Sequence, residues 1–388
     1  MTRGDAISQA GELRSARVES LRALAALGVL FGHVYGFAHG FGPVTTSSFW
    51  HRVLLGGGFG VYLFFVLSGY LLYWPFAKRS FGGGEQISLS RYALNRALRI
   101  LPLYYAVMVI LLIVQERGGT LSEWWRWGLF AENFANSTFG KVDGVMWSLV
   151  VEVHFYVALP LLALLVTRLA RGSLARAAIV IGAIGAAAFA LRYATFLSVP
   201  AGRVDPILHD SLPSLFEFFA LGMLLALLRV SWERRPPRLL DGALGHSDLW
   251  LAAAVPLWAI VFWRYHLEIV AGLASVLMLG ACVLPLRAGR LISILEWRPL
   301  AVIGVASYSL YLWHYPIVLN IAHASWAPHG TVALGAVTIP LSLAAALLSY
   351  NVIEAPFLRL RRRWASPAPA PVAATTPPSA VLRAPRRA

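Results

Sequence analysis

The chain has 388 residues, 58% of them hydrophobic and 13% charged, with a formal net charge of +15. Soluble domains carry about 25% charged residues, so the composition excludes a soluble globular protein. The basic residues recur in alternate short loops, a membrane-topology pattern that argues against a nucleic-acid partner, and Cys282, the single cysteine, excludes an intramolecular disulfide or a cysteine metal cluster.

Residues 1–17 form a polar N-terminal segment. The apolar run at 19–39 carries Arg22 and His33, so it reads as a retained span and not as a signal-peptide core. About twenty apolar residues make one crossing. Further runs lie at 57–77, 100–115, 146–167, 177–197, 212–228, 249–263, 267–286, 301–323 and 331–352. They predict an all-α polytopic membrane protein with about ten transmembrane helices, the membrane domain covering 18–360. Only Arg264, Tyr265 and His266 divide spans seven and eight.

Arginine and lysine are concentrated before span one and after each even-numbered span, for example Arg91, Arg96 and Arg99, and Arg229, Arg234, Arg235 and Arg238. By the positive-inside rule both termini are expected in the cytoplasm. The segment 80–95 reads as a cytoplasmic loop leading into an interfacial helix. Trp124, Trp125 and Trp127 suit the opposite interface. Residues 361–388 are a Pro/Ala-rich basic tail, expected to be a disordered, solvated cytoplasmic segment, with contact of its arginines to anionic lipid as the alternative.

The chemistry-bearing residues start with His33. It follows Arg22 by eleven positions, roughly 16 Å along a helix, which puts the arginine near one face and the imidazole at membrane depth. An ionisable group there is a functional candidate. In GFGVYLFFVLSGYLLYW, the small residues Gly58, Gly60, Ser68 and Gly69 favour close helix approach; Ser68 has no nearby base in sequence and reads as packing. In RYALNRALRILPLYY, Arg91, Arg96 and Arg99 either anchor the span or, as a group, clamp phosphates. In MWSLVVEVHFYVALPLL, Glu152 and His154 point to different sides of one helix. One of them is expected to face His33, where a carboxylate would orient the ring and favour its charged form. SYSLYLWHYPIVL supplies His314, and Glu354 of YNVIEAPFLRL is expected to pair with an arginine at the cytoplasmic rim. No ligand spacing links His33, His154 and His314, so no metal is expected.

Together these motifs resemble the acyltransferase-3 family of membrane O-acyltransferases. The Arg22 to His33 spacing, GVYLFFVLSGYLL, RALRILPLYY, WSLVVEVHFY, YSLYLWHYP and the terminal Glu-x-Pro follow the family's order over about 18–360. The departures are Tyr62, where an acidic residue is common, and Val153 and His154, where Glu and Gln commonly stand. With so short a tail, the extracytoplasmic hydrolase-like domain appended in some members is not expected here.

The resemblance implies transfer of an acyl group, usually acetyl, from acyl-CoA to a hydroxyl of a carbohydrate such as a surface polysaccharide, at a bacterial inner membrane. His33 would be general base, Glu152 its partner, and Arg22, Arg96 and Arg99 the holders of the coenzyme A phosphates. Within this class the other acceptor is a macrolide or similar secondary metabolite. A proton-coupled transporter with a His/Glu relay and a non-catalytic lipid-binding scaffold are the rivals from other classes.

Overall fold

The computed structural model describes residues 3–41, 48–197, 206–263 and 267–364. They are predominantly helical, with no strand beyond a single bridge between His246 and Arg287. In chain order the helices are α1 (Arg3–His39), α2 (Phe49–Leu55), α3 (Gly60–Gly82), α4 (Leu89–Val114), α5 (Leu121–Gly128), α6 (Met146–Ala170), α7 (Leu174–Leu197) and α8 (Pro206–His209). They continue with α9 (Leu212–Arg234), α10 (Ser247–Trp263), α11 (Glu268–Val283), α12 (Arg298–Val305), α13 (Ser307–Ala322), α14 (Thr331–Ser349) and α15 (Ala355–Trp364).

Each of the ten apolar runs is helical, but they differ in length and straightness. Among the described residues seven helical segments are long and apolar enough to span a membrane. An eighth would be α12 and α13 taken together, which meet at Ala306 with a bend of 73°. The α10 and α11 helices, of 17 and 16 residues, reach about 26 and 24 Å at 1.5 Å per residue, short of a hydrocarbon core of about 30 Å. Hydropathy alone could not separate a short or bent helix from a straight span.

A second difference lies before span three. The segment expected as a separate interfacial helix is the first part of α4, which runs unbroken from Leu89 through Pro102. Ser88 caps it, its Oγ accepting from the Arg91 amide, and no breaker follows until Pro102. The arginines at 91, 96 and 99 therefore ride on one rigid rod that enters the bundle.

In a bilayer, helices gain little from burying apolar surface against each other, so close backbone approach and van der Waals contact hold the bundle. A Cβ on Gly57 would lie 2.0 Å from the Gly28 carbonyl oxygen, and one on Gly60 would lie 2.4 Å from that of Ala25. These seat the turn before α3 directly on α1. Gly69 and Gly222 do the same between α3 and α9, where added carbons would meet the Phe219 and Val66 oxygens at 2.2 and 2.1 Å. Beside them Phe65, Phe219 and Phe155 stack across α3, α9 and α6, with centroids 4.9 and 4.2 Å apart. Gly60 and Gly69 thus act as the sequence suggests; a Cβ added at Gly58 would meet only open space, and Ser68 has a polar role. Cys282 is buried in this core.

The segment between α4 and α6 is ordered. Thr120 and Glu123 form a capping box at the start of α5, and Lys141 bonds Glu123 across the loop. Of the three tryptophans expected at the interface, Trp125 is exposed while Trp127 is fully buried.

Candidate active site

Three arginines converge. Arg22 of α1 and Arg96 and Arg99 of α4 line one cavity with Glu152 and Tyr156 of α6, Ser68 of α3, and Ser307, Tyr308 and Tyr311 of α13. Helix geometry explains the convergence: Arg96 and Arg99 are three apart and share a face of α4, and α1 presents Arg22 opposite them. Arg22 donates from Nε to Ser307 Oγ at 3.2 Å and lies 3.4 Å from Glu19. The Nε of Arg96 is buried and has no partner among the described residues. The bend at Ala306 turns the start of α13 toward this cavity, and a helix N-terminus favours anions.

Glu152 belongs to this cavity and not to His33. Its carboxylate accepts from the Ser68 hydroxyl and stands within Coulombic reach of Arg22. The expectation that Glu152 or its neighbour orients His33 is not met: His154 stacks on Phe134 at 5.5 Å, and neither contacts the imidazole. Periodicity gives the side of a helix that a residue faces but not its height against another helix. Glu354 also differs from expectation. It accepts from the Ser309 hydroxyl inside the bundle, within reach of Arg99 and Arg22 but in no ion pair with them. A π-helical turn, Tyr350–Glu354, aims it inward.

His33 lies further along α1, half-buried against α13. Its Nδ1 is 2.9 Å from the Val29 carbonyl oxygen and 3.4 Å from His314 Nε2. The rings of His314 and Tyr315 are each 5.2 Å from it, and Phe41 lies at 6.1 Å. His314 is fully buried, its Nδ1 3.1 Å from the Leu310 carbonyl oxygen. Between this pair and the arginine cavity sits Tyr311. Its hydroxyl is 2.6 Å from Ser148 Oγ and 3.1 Å from the Val145 oxygen, and its ring lies 5.7 Å from His314.

A second polar cluster joins α3, α7, α9 and α11. Arg192 donates to Glu268 at 2.8 Å and to the Tyr62 hydroxyl at 3.0 Å, and Glu217 lies 3.9 Å away. Tyr62 stacks on Phe218 at 4.2 Å. Arg192 and Glu217 lie inside predicted spans five and six; the signal that singled out His33, an ionisable group in an apolar run, marks them too.

Outside the spans, Asp143 and Glu132 are fully buried with unpaired oxygens. Burial raises the Asp143 carboxyl to about 8 and pushes Glu132 well above the usual carboxylate range.

A curated relative, YrhL of Bacillus subtilis, provisionally named a peptidoglycan O-acetyltransferase, is 28% identical over 78% of this chain and 48% of its own length. Nodulation protein 10 of Rhizobium leguminosarum is 28% identical over 88% of this chain and 92% of its own. The peptidoglycan O-acetyltransferase OatA of Listeria monocytogenes is 25% identical over 87% and 55%. The chain spans about half the length of YrhL and OatA and nearly all of Nodulation protein 10. No solved structure matches it significantly. The family profile described as an acyltransferase domain matches residues 15–350, and with 336 of 388 positions inside that match the chain belongs to the acyltransferase-3 family.

Proposed function

We propose that this chain transfers an acyl group, most simply acetyl, from acyl-CoA to a hydroxyl of a carbohydrate acceptor at a bacterial inner membrane. The observation that carries the reading is the cavity in which Arg22, Arg96 and Arg99 meet, with Arg22 on the same helix as His33 and some 16 Å along it. Both termini would be cytoplasmic, so that the arginine cavity opens to the compartment that holds acyl-CoA.

The residues fit such a donor. Guanidinium groups bind phosphate oxygens in bidentate fashion, and the unpartnered Nε of Arg96 is a donor awaiting one. Glu152, held by Ser68, partly balances the charge of Arg22. The donor's arm would run along α1 past Tyr311 to bring the thioester to His33. There the acceptor hydroxyl gives its proton to the imidazole as its oxygen attacks the thioester carbonyl. The C–O bond forms, the C–S bond breaks, and the thiolate recovers the proton. A positioned general base contributes about 10²–10⁴-fold.

The test is acetyl-CoA-dependent acylation of cell-surface polysaccharide by the purified chain in detergent, without a sealed membrane. Loss of product in His33→Ala is expected. Wild-type turnover in that variant refutes the base assignment, and product that requires a sealed, energised vesicle favours transport. Mass spectrometry of surface glycans and secreted metabolites from a deletion strain separates a polysaccharide from a small-molecule acceptor.

A further inference from the structure

The base proposed above has a second imidazole against it and, among the described residues, no carboxylate bonded to it. The two rings approach through unlike nitrogens, Nδ1 of His33 and Nε2 of His314, and each ring is also held by the carbonyl four residues before it, Val29 for one and Leu310 for the other. A carbonyl oxygen is only an acceptor, so the nitrogen facing it at 2.9 or 3.1 Å must carry the proton. Both rings are thereby fixed with hydrogen on Nδ1. The opposite arrangement, with His314 donating from Nε2, would set two lone pairs against two carbonyl oxygens inside the bundle, at the cost of two buried hydrogen bonds.

This assignment leaves Nε2 as the lone-pair nitrogen on each ring. On His314 it faces the Nδ1–H of His33, a single hydrogen shared in a three-centre bond between the Val29 carbonyl oxygen at 2.9 Å and His314 Nε2 at 3.4 Å. On His33 no group among the described residues bonds it. When His33 takes a proton at Nε2, the new positive charge spreads to Nδ1, and the hydrogen bond offered to the neutral His314 becomes charge-assisted and stronger. The contact at 3.4 Å is long in the resting state and has room to shorten as charge develops, as an interaction realised in the transition state should.

We infer that His314 is the positioning residue of this site: it holds the His33 ring with Nε2 free and accepts from Nδ1–H as His33 becomes an imidazolium, the place expected of Glu152. The inference rests on His33 being the base.

Two measurements test it. In the full chain labelled with ¹⁵N-histidine in detergent at neutral pH, nitrogen spectra, assigned with the His33→Gln and His314→Gln variants, should show Nδ1 protonated and Nε2 unprotonated on both rings. A protonated Nε2 on His314 reverses the pairing and overturns the inference. In parallel, acetyl-CoA turnover is compared across variants whose folding is checked by thermal midpoint. His314→Leu should lower kcat at least tenfold and leave KM for acetyl-CoA within about twofold. His314→Gln, whose Oε1 can accept from His33, should recover part of the loss and also covers the case in which the leucine variant does not fold. An unchanged kcat, a loss carried by KM, or no recovery in the glutamine variant each refutes the positioning role. If His33→Gln itself keeps wild-type turnover, the base assignment falls instead, so the two failures are distinguishable.

Discussion

The hydroxyl of Tyr311 meets Ser148 at 2.6 Å, and this contact separates the arginine cavity from the imidazole pair. Tyr311 lines the cavity on one side and touches His314 on the other. A donor held by the arginines and reacting at His33 must pass it. Tyr311→Phe keeps the ring and removes the hydroxyl's bonds to Ser148 and Val145. Its expected outcome is faster release of free thiol from acetyl-CoA without acceptor, as water reaches the thioester, at a stability loss of about 1–3 kcal/mol. Thiol release at or below the wild-type rate would show that the contact is no barrier.

The arginines should act on donor affinity. Arg96→Gln and Arg99→Gln each remove a charge-assisted bond of about 1.5–3 kcal/mol, so each should raise KM for acetyl-CoA by roughly 10- to 100-fold and leave kcat within a few-fold. Arg91→Gln, whose side chain is exposed on the same helix, should change KM little. Steady-state kinetics at fixed ionic strength reads both.

How much of this was legible beforehand differs by feature. The spacing of Arg22 and His33 is a property of one helix, so sequence carries it fully. The RALR stretch likewise puts Arg96 and Arg99 on one face. What depends on the relative height of two helices was not legible: Glu152 meets Ser68 and the arginines, and His314 meets His33. The bend at Ala306 escaped for another reason. The run through 301–323 stays apolar across it, and what distinguishes the bend is tertiary: a Cβ on Gly304 would lie 1.8 Å from the Glu19 oxygen of α1, and Ser307 receives the Arg22 bond.

Close packing of α3 on α9 gives a stability test. Gly69→Ala and Gly222→Ala place a carbon about 2 Å from backbone oxygens that cannot move without shifting a helix. Overpacking of this kind costs about 1–3 kcal/mol, and the thermal midpoint in detergent should fall in both. Gly182→Ala on α7, where an added carbon meets nothing, should leave it level or raise it, since alanine is the better helix former by up to about 1 kcal/mol.

Asp143 gives the pH test. Its folded pKa, about 8, lies above the ordinary aspartate value of 3.8. Between these values the unfolded chain has released the proton and the folded chain still holds it, so this residue's contribution to stability falls as pH rises from about 4 to about 8. Asp143→Asn should match the wild type near pH 4 and become progressively more stable than it toward pH 8. Glu132 shifts in the same direction, and adding Glu132→Gln should widen the difference. Midpoints that track each other across that window would refute the buried neutral carboxyl.

One rigid rod carries both halves of the proposed chemistry. Ser307 opens α13 at the arginines and His314 follows seven residues later, about 10 Å along the axis. With the 73° bend at Ala306 beside Ser307, a small tilt of α13 that accommodates a bound anion would swing His314 relative to His33. Occupancy at the lower end would thereby set the alignment of the imidazoles at the upper end, without any separate messenger.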